Sequence, residues 1–75
     1  MQQLLIEIAK SLVEHPDQVT VTTVEKENLT VLQLSVAKED MGKVIGKKGK
    51  IAQAIRTVIK AASVAENKKV AVDII

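Results

Sequence analysis

Two glycines three positions apart with two lysines between them, Gly46-Lys47-Lys48-Gly49, are the residues of this chain best suited to binding chemistry. Glycines at both ends of a short loop let its backbone approach a ligand where a Cβ would obstruct it. Lys47 and Lys48 are too close to the turn to reach the core and project outward beside it. An apolar pattern at helical spacing begins at Lys50, so the loop opens onto a helix N-terminus. Unpaired N–H groups and the positive end of the helix dipole attract phosphate there. The chemistry indicated is capture of an anion, against the plainer alternative of a solvated lysine turn. Nucleotide hydrolysis is excluded by spacing, because a Walker loop has a glycine, four residues and then Gly-Lys-Ser/Thr. Before Gly49-Lys50 that first glycine would fall at Val44, and position 51 is Ile. Gly42 and Gly46 have the spacing of a membrane helix pair, but Lys43 lies between them and no apolar span surrounds them.

The remaining candidates form no catalytic constellation. His15 is the single histidine and there is no cysteine, so no metal geometry is available. Its place before Pro16 reads as a helix-end cap or a solvent-facing residue. Ser11, Ser35 and Ser63 lack a base at motif spacing. Asp17, Glu25, Glu27, Glu39 and Asp40 form no carboxylate pair in an apolar cleft. The chain reads as a binding protein, not an enzyme, with no cofactor.

Charge points the same way. Between Lys38 and Lys60 seven cations stand against Glu39 and Asp40, a net +5, while the rest of the chain sets four lysines against seven acids, a net −3. Such asymmetry implies an anionic partner for the basic third. Lys38, Lys60, Lys68 and Lys69, scattered outside the motif, read as solubilising surface lysines. No stretch approaches the roughly 18 apolar residues of a membrane span, and the N-terminus has no secretion-signal pattern. The expected setting is the cytoplasm, without membrane contact.

The elements that must position the loop follow from periodicity. Leu4, Leu5, Ile8 and Leu12 share a helical face widened by Ile6, Ala9 and Val13, and His15-Pro16 ends that helix. QVTVTTVEK alternates, with Val19 and Val21 on one face, until Val24 breaks the phase and suggests a bulge or a change of face. Glu27-Asn28 is a turn, and LTVLQLSV alternates again with Leu32, Leu34 and Val36 inward, completing an antiparallel hairpin. A helix of one or two turns, opened by Glu39 or Asp40, ends at Gly46. The helix from Lys50 carries a stripe of Ile51, Ile55, Val58, Ile59 and Ala62, broadened by Ala54, Ala61 and Ala65, and stops at Asn67. KKVAVDII is a third strand with Val70, Val72 and Ile74 inward. The sum is a two-layer α+β fold, α-β-β-α-α-β, with three helices on one face of a three-stranded sheet.

VIGKKGK between two helices, in a chain of this order, resembles the KH domain, whose GXXG loop clamps about four nucleotides by their backbone. The helix before the first strand resembles the bacterial, type II arrangement, which implies a mixed sheet with one parallel pair. A chain of one KH domain over residues 1–75, carrying DMGKVIGKKGKIAQAIRTV, resembles the KhpA family of small bacterial RNA-binding proteins. The resemblance implies that Gly46, Lys47, Lys48 and Gly49 contact phosphates and sugars. Val44 and Ile45 would belong to an apolar groove floor, and Lys43, Lys50 and Arg56 to a positive rim. The sequence departs from many KH domains at Ala52, where they have Ile or Val, with Ile51 one position earlier. The family also implies a homodimer and a heteromer with a larger KH-containing partner, KhpB. The broad stripe at Ile55, Val58, Ile59 and Ala62 is the expected face for that contact.

With no Phe, Tyr or Trp, bases cannot stack on aromatic side chains, each stack being worth roughly 1–3 kcal/mol elsewhere. The expected function is weak, salt-sensitive binding of single-stranded RNA with low sequence specificity, as a post-transcriptional regulator or RNA chaperone. The alternative is a protein-interaction module with residual RNA affinity. A helix-turn-helix DNA binder fits less well, because half of the long helix is apolar and few long polar side chains remain to read bases.

Overall fold

The computed structural model describes residues 1–75. In chain order its elements are α1 (Gln2–Leu12), β1 (Thr20–Lys26), β2 (Leu29–Ser35), α2 (Met41–Ile45), α3 (Lys50–Ala65) and β3 (Val70–Ile74), with single 3-10 turns at Pro16–Gln18, Lys38–Asp40 and Lys47–Gly49. This is the α-β-β-α-α-β order expected. The sheet runs β1-β2-β3, with β1 antiparallel and β3 parallel to β2, so it is mixed. A parallel pair cannot be closed by a tight turn, and α2 and α3 form the crossover it requires. The loop of interest therefore sits at the corner of an obligatory connection.

One aliphatic core lies between sheet and helices. Leu5 and Ala9 enter it from α1, Val19, Val21, Leu32, Leu34 and Val36 from the hairpin and its flanks, Val44 from α2, Ile55 and Ile59 from α3, and Val72 from β3. Val24 marks a change of face and not a bulge, because the β1–β2 register runs one-to-one from Thr20↔Ser35 to Lys26↔Leu29. It lies opposite Val31, which is likewise out of phase with Leu32 and Leu34, and Ala71 of β3 lies beside Val31. A short apolar row thus crosses the face turned away from the helices.

The stripe on α3 is narrower than its composition suggests. Ala52, Ile55, Ile59 and Ser63 are buried, Ile51 and Ala62 are half-buried, and Ala54, Ala61 and Ala65 are exposed with Val58. Val58 keeps 47% of its surface because it faces the gap between α3 and α1. The helix ends in a Schellman arrangement: Lys68 N–H donates to Ser63 C=O (2.8 Å) and Asn67 N–H to Val64 C=O (3.0 Å), with Asn67 left-handed at φ 58°.

Each open sheet edge is met by one side chain. Gln2 Nε2 donates to Val21 C=O (2.9 Å) on β1. On β3, Lys69 C=O and Ile75 N–H pair with β2, so the alternate groups of Val70, Val72 and Ile74 point outward. Arg56 Nε takes the Val72 carbonyl at 3.2 Å. Such blunting hinders pairing with foreign strands.

Of Glu39 and Asp40, either of which could open the short helix, Asp40 stands at the N-cap position, but its side chain makes no capping bond there. It is 1% exposed and turns back to the exit of α1, accepting the N–H of Glu14 (3.2 Å) and of His15 (3.0 Å), while His15 Nδ1 lies 2.9 Å from Oδ2. His15 is therefore the partner of a buried carboxylate and not merely a helix-end residue. The hydrogen bond to Asp40 raises the His15 pKa above 6.5. Burial pushes the Asp40 carboxyl up, but the Glu14 N–H, the His15 side chain and the His15 N–H outweigh it, leaving it below 3.8.

The signs set a pH window. A raised His15 pKa stabilises the fold fully below about pH 6.5 and loses that contribution as pH climbs through the raised value. A lowered Asp40 pKa stabilises above about pH 3.8 and fails as pH falls through the lowered value. The urea midpoint is expected to be higher at pH 6 than at pH 8.5, and His15→Gln to flatten that difference. An equally steep decline in the variant would remove the pair as its cause.

Candidate functional site

The loop between α2 and α3 owes its shape to three unusual backbone conformations. Gly46 ends α2 at φ 74°, ψ 175°, a region open only to glycine, while its N–H donates to Gly42 C=O (2.9 Å). Lys48 follows at φ 58°, ψ 25° and Gly49 at φ 75°, ψ 13°, both left-handed. Gly49 N–H donates to Gly46 C=O (3.2 Å) and Lys50 N–H to Lys47 C=O, closing a single turn. The N–H groups of Lys47 and Lys48 open that turn and have no partner within it. A helical residue followed by left-handed ones aligns successive N–H groups into a concavity that suits an anion. Both lysine side chains are exposed on its rim.

The two glycines are constrained differently. A Cβ at Gly46 would lie 2.5 Å from Ile51 Cγ1 and 2.8 Å from Ile51 Cβ, so Ile51, the second residue of α3, packs directly on the bare Cα. At Gly49 a Cβ would meet nothing within 4 Å, and only the left-handed backbone favours glycine. The departure at positions 51 and 52 is thereby resolved. Ala52 is a buried core residue, and the branched side chain at 51 is fitted to the loop.

The other expected site residues divide. Ile45 is exposed at the end of α2, beside the loop. Val44 is fully buried in the core and cannot form a groove floor, because α2 turns it inward. Lys43 is no free rim cation: its Nζ lies 2.8 Å from Glu14 Oε1, and the hydrogen bond from Lys43 holds the Glu14 carboxyl below 4.5. Lys50 is exposed next to the loop, with its stem against the gap between α1 and α3. Arg56 lies seven residues from Gly49, on nearly the same face of α3 and about 10 Å along it. Its Nε is fixed on Val72, and its exposed guanidinium stands at the β3 edge.

Of the four residues expected at a protein contact, Ile55 and Ile59 are buried in the core, Ala62 is half-buried and Val58 is on the surface. Ile59 is fully buried between α3 and the sheet, and Ile55, 3% exposed, reaches only the floor of the groove that Val58 borders. Val58 instead shares an apolar groove of about 540 Å³ with Leu4, Ile8 and Leu12 of α1 and with Ile51 and Ala54. Sequence reading missed Asp40 and its partners because they lie 25 and 26 positions apart, with no spacing signal.

Backbone strain and the Ile51 contact together make Gly46→Ala cost about 2–4 kcal/mol of stability, against about 1 kcal/mol for Gly49→Ala. Urea unfolding of the two variants measures the difference; equal losses would remove Ile51 from the account.

A family model described as the KhpA/KhpB KH domain matches residues 2–74. The chain is 65% identical to the RNA-binding protein KhpA of Clostridium acetobutylicum and 59% to that of Clostridium perfringens, each over the full length of both chains. It is 47% identical to KhpA of Listeria monocytogenes, over all of this chain and 99% of that one. Among solved structures it is similar to Era of Aquifex aeolicus bound to GDP·AlF4−, with TM-score 0.64 and 21% identity over 97% of this chain and 28% of Era. Similar too is Era in complex with MgGDPNP and nucleotides 1506–1542 of 16S ribosomal RNA, with TM-score 0.60, 22% identity and the same coverage. At those identities the likeness to Era is one of fold.

Proposed function

Because the chain belongs to the KhpA/KhpB KH-domain family, we propose that it binds single-stranded RNA, clamping the backbone of about four nucleotides with Gly46-Lys47-Lys48-Gly49. The family is not enzymatic, and the work of the chain is binding. The observation that carries the reading is the loop itself: a strained turn with two outward lysines, leading into the N-terminus of α3 within a +5 segment. Ile45, Lys50 and Arg56 flank the strand, and Lys43 contributes only when it leaves Glu14. Val44 acts from within the core, holding α2 in place.

Grip on the backbone dominates recognition. Without aromatic platforms, base contacts fall to Ile45, aliphatic stems and Arg56, so sequence specificity is low and affinity modest. Such a protein serves in the cytoplasm as an RNA chaperone or post-transcriptional regulator, as a single KH domain over residues 1–75, together with a KhpB-like partner. The double variant Lys47→Asp/Lys48→Asp is expected to lose RNA binding at least tenfold while its circular dichroism stays native. The wild-type slope of log K against log salt should exceed that of the variant by about 1.4, at roughly 0.7 per phosphate contact. Native affinity in the folded variant would refute the clamp.

The groove between α1 and α3 favours a second reading, a protein-interaction module with residual RNA affinity. It supports self-association or a KhpB-like partner through Val58, flanked by Leu4 and Ala54, all exposed. Sedimentation of Val58→Asp is expected to show a loss of dimer with RNA affinity per monomer preserved. An unchanged dimer fraction would move the contact elsewhere, and a wild type monomeric at high concentration would end the homodimer. Crosslinking in cells separates the readings, since transcripts recovered only with Lys47 and Lys48 intact favour the RNA function.

A further inference from the structure

The far end of α3 carries a cavity that neither the loop nor the apolar groove uses. It holds about 380 Å³ between the last turns of α3, the hairpin turn and the start of β3. Three lysines line it, Lys60, Lys68 and Lys69, and no acidic residue does. Its apolar surface comes from Leu29, Val64 and Val70. Val64 is 69% exposed and Leu29 37%, large aliphatic side chains that the core does not employ. The three lysines, 60, 68 and 69, were expected to be scattered solubilising charges; the fold brings them to one rim.

Acids near this rim do not cancel it. Glu66 Oε1 lies 3.8 Å from Lys68 Nζ, a loose, exposed contact of little energy. Glu25 and Glu27 border a neighbouring polar depression with Lys68 and Lys69, which leaves Lys60 as the cation committed to the cavity alone. The cavity also lies along the helix face that leads away from the loop. At 100° per residue Gly49, Arg56, Lys60 and Val64 fall within about 80° of one another, and Ser63 stands about 20 Å along the helix from Gly49. A strand leaving the loop along this face passes Arg56 at the β3 edge and arrives at Lys60.

We infer that the cavity is a second nucleotide subsite for the same RNA strand, with the lysines holding phosphate and Leu29, Val64 and Val70 lying under the base. It takes a nucleotide beyond those the loop grips, and it rests on the reading of the loop as an RNA clamp. An aliphatic floor suits a base where no aromatic platform exists, and phosphate contact with three lysines adds affinity without sequence preference.

The test measures fluorescence anisotropy with uridine oligonucleotides of four and eight residues. The triple variant Lys60→Ala/Lys68→Ala/Lys69→Ala is expected to bind the tetramer as wild type does and the octamer about tenfold more weakly. Its octamer salt slope should fall by about 2, at roughly 0.7 per phosphate contact. Val64→Asp, which removes no cation and sits at an exposed position, should weaken the octamer alone. The subsite is overturned if the triple variant binds the octamer like wild type, or if it loses tetramer and octamer affinity equally. Lys47→Asp/Lys48→Asp separates the two readings: native tetramer binding there refutes the clamp, whatever the cavity lysines do to the octamer.

Discussion

The buried carboxylate of Asp40 is the interaction on which the geometry of the helical layer depends. It accepts two backbone N–H groups from the chain leaving α1 and stands one residue before α2, so it ties two segments 25 positions apart into one corner. A five-residue helix has no stability of its own, because helix nucleation is unfavourable and so short a run cannot recover it. Asp40 holds the start of α2, Val44 sinks its middle into the core, and Ile51 bears on Gly46 at its end. The strained turn that follows is thus over-determined from both sides, the condition under which left-handed Lys48 and Gly49 persist.

Much of this was legible in the sequence, because periodicity is a local property. Alternation placed the hairpin, spacing placed the helices, and Gly46, Gly49 and Asn67 marked turns that the backbone takes with positive φ. What was illegible depended on which neighbour each face meets. A 16-residue helix with aliphatic side chains around half its girth does not reveal that β3 and the core take Ile55 and Ile59 while Val58 looks towards α1. The pairing of Lys43 with Glu14 and the burial of Val44 likewise follow from how α2 rests on the end of α1. Lysines that look dispersed along the chain, 60 on α3 and 68 and 69 before β3, meet because the Schellman turn folds the chain back on itself.

The aliphatic core and the basic loop express one compositional choice. With no aromatic side chain, the interior is filled by Leu, Ile, Val and Ala at many small contacts. The same absence leaves the surface without stacking platforms, so recognition leans on charge and backbone. Stability is then sensitive to a single branched side chain, and affinity to ionic strength. The sheet edges fit the pattern, since Arg56, the only arginine, serves the β3 edge by its Nε while its terminal nitrogens stay available.

The parallel pairing of β3 with β2 has a consequence for how the molecule is made. β2 is central to the sheet, but its second neighbour lies about 40 positions further along the chain, beyond both crossover helices. On a ribosome the hairpin emerges early and β3 last among these elements, so one side of β2 has no strand to pair with for most of synthesis. Pairings of such sequence separation are slow to form, and they leave an unpaired strand open to other chains meanwhile. The nascent chain must carry that open strand until β3 is free to close the sheet.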